Sequence, residues 1–140
     1  MVRLVVKVHR LLVFLFVNFL SVSATANSTI LDTYAWTNRL VILITERKNS
    51  NLEKQAKQFF KKHTCNIVDR NLQLLHFLTD DPIISKLPKK MQSQTGVWLL
   101  GYDGSIKAFS EDVQLLNSLF KTIDEMPIRQ DELESGTTCN

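Results

Sequence analysis

An unbroken apolar run, Leu40 to Ile44, stands inside the segment 39–45. Because no polar residue alternates with these side chains, the run predicts a strand that is buried on both faces, as in the centre of a parallel or mixed sheet. The spacing of Ser50 and Glu53 then matches a capping box and predicts the start of a helix. The apolar face of that helix is formed, at helical spacing, by Leu52, Ala56, Phe59 and Phe60. We expect the helix to end near His63.

Three further strands are predicted by apolar patterning. The segment 71–78 has two apolar faces, Leu72, Leu74, His76 and Leu78 on one and Leu75 and Phe77 on the other. Apolar runs at 97–100 and 106–109 flank the turn Tyr102-Asp103-Gly104-Ser105. An Asp-Gly pair between two apolar runs is a strong hairpin signal, because Gly accepts the positive φ of the turn.

A last helix is predicted from residue 111 to about residue 125, capped by Ser110 and ended by Pro127. The stretch 79–95 has the weakest pattern, and its Asp80-Asp81-Pro82 predicts only a short helix that Pro88 stops. The predicted order is therefore β-α-β-β-β-α. This order predicts an α/β fold of the thioredoxin-like type, in which a four-stranded mixed sheet carries flanking helices.

The first 26 residues are typical of a secretory signal peptide. Arg3, Lys7, His9 and Arg10 precede an uncharged apolar run at 11–20, and small residues end in Ala24-Thr25-Ala26. A retained membrane anchor is the alternative, although a span needs about 20 apolar residues. We therefore expect a secreted or periplasmic protein with a signal peptide at 1–26, one domain at 27–133 and a flexible tail at 134–140.

The charge of the chain changes when this leader is set aside. The full chain has 17 Lys and Arg against 14 Asp and Glu, a formal net charge of +3. Arg3, Lys7 and Arg10 account for the whole excess, so the remaining domain is formally neutral. A neutral domain lacks the basic surface that phosphate backbones attract, and we expect no nucleic-acid partner.

Two cysteines, Cys65 and Cys139, would meet an oxidising environment after export. A disulfide between them is the first expectation, and free thiols or an intermolecular link are the alternatives. Asn27-Ser28-Thr29 also fits the N-glycosylation triplet, which matters only in a host that glycosylates.

Three stretches resemble the DUDES domain, a thioredoxin-like domain of unknown function. They are Leu31-Asp32-x-Tyr34-x-Trp36-x-Asn38-Arg39, the turn segment 101–107, and the segment 123–133 with Ile123-Asp124-Glu125-Met126-Pro127-Ile128-Arg129. The family includes exported bacterial proteins and the repeated domains of extracellular-matrix proteins of the equarin and sushi-repeat type. The resemblance covers residues 31–133. It implies a thioredoxin-like fold and export, and no known activity.

The usual thioredoxin chemistry is not expected. Its reactive cysteine would follow the first strand, and the segment 45–51 contains no Cys. Cys65 remains as the candidate of an alternative hypothesis, an atypical one-cysteine thiol oxidoreductase or peroxidase-like enzyme. His9, His63 and His76 have no Cys or His at ligand spacing, so we expect no metal and no cofactor.

Seven residues are candidates for binding, each with a structural alternative. They are Tyr34, Trp36, Arg39, Asp69, Arg70, Asp124 and Arg129. The two aromatics could instead cover a sheet edge. Arg39, Asp69 and Arg70 could form a structural ion pair or a solvated edge, and Asp124 and Arg129 could cap the last helix and pin the tail. We expect a monomeric, non-catalytic binding module for a protein, cell-envelope or matrix component. A weaker hypothesis assigns Lys86, Lys89 and Lys90 to anionic polymers or lipid.

Overall fold

The computed structural model describes residues 29–136 and residue 139. The helices are α1 (Ile30–Tyr34), α2 (Asn51–Lys62), α3 (Thr64–Asp69), α4 (Lys89–Gln92), α5 (Gln114–Asp124) and α6 (Pro127–Glu134), and a 3-10 turn spans Pro82–Lys86. The strands are β1 (Arg39–Thr45), β2 (Leu72–Leu78), β3 (Gly96–Leu100) and β4 (Ile106–Ser110). The predicted leader at 1–26 and the Asn27 triplet's first two residues lie outside the described residues.

The four strands form one mixed sheet in the order β2-β1-β3-β4. Strand β1 pairs in parallel with β2, with Arg39 opposite Leu72 and Thr45 opposite Leu78. It pairs antiparallel with β3, which in turn pairs antiparallel with β4. Because β1 is central and every one of its residues is buried, the apolar run predicted the strand correctly.

Each face of the sheet packs against its own helices. The face of Val41 and Leu43 contacts α2 and α5, and the partners include Ala56, Leu116, Leu119 and Ile123. The opposite face, with Ile42 and Trp98, packs against the 3-10 turn and α4 through Ile84, Leu87 and Met91. The chain is thus an α/β layer structure with helices on both sides of a mixed sheet.

The start of α2 follows the predicted cap in part. Ser50 accepts a hydrogen bond from the Glu53 amide at 3.1 Å, as a capping residue does. The Glu53 carboxylate accepts from the backbone amide of Asn49 and not of Ser50, so the capping box is closed one residue early. The helix ends at Lys62 with His63 as its C-terminal cap, as expected.

In the C-terminal third, one prediction is wrong and one helix was not predicted. Ser110 is the last residue of β4 and does not cap α5, which begins at Gln114 after a turn held by Asp112. Pro127 does not merely end a helix, because it is the first residue of α6. Proline is favoured at that position because its missing N–H would have no partner there. The tail predicted from 134 begins at the last residue of this helix.

The remaining connections are short and ordered. The stretch 79–95 forms the 3-10 turn and α4, which agrees with the predicted short helix before Pro88. The turn between β3 and β4 contains Gly104 at φ 71°, as the hairpin required. Helix α3 was not predicted, and its Cys65 forms a disulfide with Cys139 that joins Cα atoms 5.8 Å apart. Among the described residues, no helix is both long and apolar enough to cross a membrane.

Candidate functional site

Arg39 lies at the first position of β1, on the same face as Val41 and Leu43, and is only 1% exposed. Its Nη1 donates to the Arg70 carbonyl at 3.0 Å and to the Glu132 carboxylate at 3.1 Å. The same Nη1 reaches the Tyr102 hydroxyl at 3.0 Å, and the guanidinium lies 4.2 Å from the centre of that ring. These contacts fix Arg39 between the sheet, the β3–β4 turn and α6.

Arg129 and Arg70 connect the same end of the sheet to the two C-terminal helices. Arg129 donates to the Asp69 carboxylate, to Asp124 at 3.2 Å and to Glu132 at 3.1 Å. Arg70 binds Asp124 through two nitrogens, at 2.9 and 2.7 Å. This bidentate arrangement is the geometry that favours arginine over lysine in an ion pair.

We call these residues the arginine network: Arg39, Arg70 and Arg129 with Asp69, Asp124 and Glu132. Its three cations and three anions balance, and the three arginines are buried. Burial raises the pKa of Glu132, but hydrogen bonds from Arg39, Tyr102 and Arg129 outweigh it and hold that pKa below its usual value. Burial lowers the pKa of Arg129, and its hydrogen bonds to Glu132, Asp69 and Asp124 raise it on balance. Both shifts favour the charged forms of Glu132 and Arg129 in the folded state.

Five of the seven candidate binding residues therefore meet in one cluster: Arg39, Asp69, Arg70, Asp124 and Arg129. Their contacts match the structural alternative of ion pairs, although none of them was predicted to join α3, α5 and α6 at once. The expected helix-capping role of Asp124 and Arg129 is replaced by these ion pairs. The cluster holds α6 against the N-terminal ends of β1 and β2.

Sequence reasoning missed two members of this region. The Tyr102 hydroxyl donates to Glu132 at 2.8 Å and accepts from Asn71 at 2.8 Å. Burial raises the pKa of Tyr102, so its phenol keeps its proton. Tyr102 was assigned only to the Asp-Gly turn that it precedes, and a turn residue is not expected to be buried. No local sequence pattern marked Glu132, because its partner Arg39 lies 93 residues away.

Tyr34 and Trp36 are not a pair on one surface. Tyr34 packs against the apolar cluster that contains Leu40 and Ile42. Trp36 is 72% exposed and has φ of 63°, in the left-handed region. Its amide donates to the Tyr102 carbonyl at 2.8 Å, which ties it to the β3–β4 turn. The expectation that both aromatics cover a sheet edge is wrong for Trp36.

Trp36 forms part of the rim of a cavity of about 490 Å³. The cavity lies between the β3–β4 turn and the junction of α5 and α6. Its lining is Trp36, Arg39, Gly101, Tyr102, Asp103, Lys107, Thr122, Glu125, Met126, Pro127 and Ile128. Three large apolar side chains are exposed in the described part of the chain, and two of them, Trp36 and Ile128, line this cavity.

The opposite end of β1 has a different polar group. The Thr45 hydroxyl lies 2.7 Å from His76 Nε2, and His76 Nδ1 lies 3.5 Å from the Glu53 carboxylate. A hydrogen bond from Lys57 lowers the pKa of Glu53 more than burial raises it. Thr45 also donates its proton to the Arg47 carbonyl at 3.0 Å. The Thr45 hydroxyl thereby links the end of β1 to His76 on β2 and to the loop that follows β1.

The other candidate residues do not gather into a reactive centre. Cys65 is bonded to Cys139, so it offers no thiol in this state. His63 lies against Phe59 and Phe120, away from His76 on β2. Within residues 29–136 and 139, no group of three His, Cys, Asp or Glu side chains is placed to hold a metal ion. Lys89 and Lys90 are exposed on α4.

One of three comparisons with known proteins found a match. Neither the curated proteins nor the solved structures contain a match to the chain. A family model described as "Domain of unknown function (DUF4174)" matches residues 30–132, from the first residue of α1 to Glu132 of the arginine network. The chain belongs to this family, the DUF4174 domains of unknown function.

Proposed function

We propose that the chain is an exported, non-catalytic binding module whose binding surface is the cavity beside Trp36. Its partner is a protein, cell-envelope or matrix component outside the cytoplasm. The proposal combines the leader pattern at 1–26 with the exposed apolar rim formed by Trp36 and Ile128. Concave surfaces with an apolar lining and a few polar groups are the usual form of ligand sites.

The conformation of Trp36 is the observation that carries the proposal. A left-handed backbone costs a bulky residue about 1–2 kcal/mol, and glycine is the usual residue at such a position after a helix. With 72% of its surface exposed, Trp36 gains little from burial in return. Strained residues that the rest of the fold holds in place are frequent at ligand sites. Tryptophan is also among the residue types enriched at binding hot spots.

We infer that the fold is of the thioredoxin-like type. The strand order β2-β1-β3-β4, with β1 and β2 parallel, supports this assignment. The resemblance to the DUDES domain at 31–133 points in the same direction. The cysteine-free segment 45–51 supports a function other than thiol redox chemistry.

The alternative, a one-cysteine thiol enzyme, would require that Cys65 be released from Cys139. Both cysteines then would have to be reduced in a compartment that is oxidising. The binding hypothesis is therefore preferred.

The test is the retention of purified protein on isolated envelope or matrix material of the producing cells. The double variant Trp36→Ser with Ile128→Ser removes the apolar rim without touching the arginine network. We expect retention to fall at least about tenfold, as for hot-spot residues. Val68→Ser is the matched control, because Val68 is 64% exposed but does not line the cavity.

Two results would contradict the proposal. One is equal retention of the wild type, the double variant and the Val68→Ser control. The other is turnover of a thiol or peroxide substrate by the wild type that is lost in Cys65→Ser, which would support the enzyme hypothesis.

A further inference from the structure

Of the four charged residues that line the cavity of about 490 Å³, three have ionic partners. Lys107 pairs with Asp103 at 3.3 Å. Arg39 pairs with Glu132 of the arginine network at 3.1 Å. The fourth, Glu125, is exposed and joins none of the ion pairs in the described part of the chain. The lining and its direct partners therefore carry one net negative charge, which favours a cationic ligand.

The cavity has this carboxylate on one wall and an aromatic ring on the other. Trp36 is 72% exposed, and its amide ties it to the β3–β4 turn through the Tyr102 carbonyl. Glu125 belongs to the other wall, at the junction of α5 and α6. Lys121, one helical turn earlier on α5, is exposed and does not line the cavity. A ligand that fills the space between the walls meets both an indole ring and an anion.

Two arginines of the network show which ligand such a combination of groups binds. Arg39 lies over the Tyr102 ring, 4.2 Å from its centre, and pairs with the Glu132 carboxylate. Arg70 lies over the Phe120 ring at 4.8 Å and binds a carboxylate of α5 through two nitrogens. A guanidinium combines these contacts because it is flat, permanently charged and carries its N–H donors around its edge.

Trp36 and Glu125 repeat this combination without an arginine. In the described part of the chain, the rings with a cation above them are those of Tyr102 and Phe120. A quaternary ammonium is matched less well, because it is usually held by a cage of several aromatic rings and Arg39 already covers Tyr102. Arginine also packs its methylene stem along apolar surface. The apolar side chains of the α5–α6 wall are Met126, Pro127 and Ile128.

We propose, on the basis of the binding function proposed above, that the cavity binds an arginine side chain of a protein partner. The guanidinium lies on the exposed indole of Trp36 and donates to the Glu125 carboxylate, and its stem packs on Ile128. Among the partner classes of the binding proposal, a protein is the one that supplies guanidinium groups. The partner is therefore a protein with an exposed arginine.

The test is an NMR titration of the ¹⁵N-labelled protein with the peptide N-acetyl-Gly-Arg-Gly-amide. The comparison peptide carries citrulline, which has nearly the shape of arginine without its charge. We expect the arginine peptide to shift the Trp36 indole and the Glu125 and Ile128 amides, and the citrulline peptide to bind about fivefold more weakly. The corresponding lysine peptide should also bind more weakly, because an ammonium group is a compact charge without a flat face.

Two variants test the two walls separately. Glu125→Gln should weaken the arginine peptide about fivefold and the citrulline peptide little, with an unchanged free energy of unfolding. Glu111→Gln is the matched control, because Glu111 is also exposed but does not line the cavity. Trp36→Gly should weaken the arginine peptide about two- to fivefold, since it removes the ring under the cation.

Four outcomes would overturn the assignment. They are no shift at the cavity with millimolar arginine peptide, equal binding of the citrulline or lysine peptide, equal or tighter binding of choline, which would indicate a lipid headgroup, and wild-type affinity in Glu125→Gln. If the variant Trp36→Ser with Ile128→Ser still loses envelope retention in these cases, the binding function stands and only the arginine is wrong. If that variant keeps its retention, the binding function fails as well.

Discussion

The two ends of β1 place polar groups in the sheet in different ways. At the Arg39 end, three arginines and three carboxylates connect α3, α5 and α6, and a cavity with exposed Trp36 lies beside them. At the Thr45 end, Thr45, His76 and Glu53 form a smaller group next to a cavity of about 300 Å³. None of the three large apolar residues that are exposed within residues 29–136 and 139 lines that second cavity.

The proposed binding surface therefore differs in position from the place where open α/β sheets usually bind ligands. Ligands commonly lie beyond the carboxyl ends of parallel strands, which here is the Thr45 end. Here the arginine network and the exposed indole of Trp36 lie instead at the amino end of β1. We infer that the arginine network holds the cavity beside Trp36 in shape.

The largest expected effect is on the stability of the Arg39 end. Arg129→Ala removes one cationic partner from each of Asp69, Asp124 and Glu132. Loss of a buried charge pair costs about 3–5 kcal/mol in the free energy of unfolding, and we expect the lower end because Arg70 still lies 3.6 Å from Asp69. Thr45→Val at the other end should cost only about 2 kcal/mol, because its hydroxyl makes two hydrogen bonds of about 1 kcal/mol each. Urea denaturation of both variants measures the difference. Equal losses would refute the assignment of the main support to the Arg39 end.

The disulfide is expected to reinforce this same end. Cys65 and Cys139 are 74 residues apart in sequence, and the loop-entropy model gives a stabilisation of about 4 kcal/mol for such a loop. The double variant Cys65→Ser with Cys139→Ser should lose up to that amount of its free energy of unfolding, as measured by thermal and urea denaturation. Wild-type protein with reducing agent should match the variant. A difference between the two would show that the serines disturb packing on their own account.

The acid dependence of stability tests the role of Glu132. Its pKa is lower in the folded than in the unfolded protein, so the folded state binds fewer protons. The stability from Glu132 is complete above the unfolded glutamate value of about 4.3 and is lost as the pH falls through the lower folded value. The Glu132→Gln variant should therefore have a lower free energy of unfolding than the wild type at pH 7. Its free energy of unfolding should also change less with pH in that window. Parallel stability curves for variant and wild type would contradict the network.

Much of the fold was predictable because its signals are local. The apolar run of β1, the spaced apolar face of α2 and the Asp103-Gly104 turn each lie within one short segment. Helix α6 was missed because Pro127 can end one helix or begin the next, and its residues 127–134 have no strong apolar face. The prediction that Ser110 caps α5 is wrong because β4 extends to this residue.

The candidate site was predictable only as a set of residues. Five members of the arginine network were among the candidate residues. They lie in the segments that begin β1 or precede β2, and in the motif with Asp124 and Arg129. Their arrangement depends on pairs such as Arg129 and Asp69, which are 60 residues apart and leave no periodic signal. The left-handed conformation of Trp36 is also set from a distance, through its hydrogen bond to Tyr102.

The central claim is that Trp36 is kept in a strained, exposed position for binding. Trp36→Gly tests it most directly, because glycine adopts the left-handed conformation without strain. We expect the free energy of unfolding to stay the same or rise by about 1 kcal/mol, while envelope retention falls about tenfold. Unchanged retention, or a loss of stability that shows the indole to be a packing residue, would contradict the account.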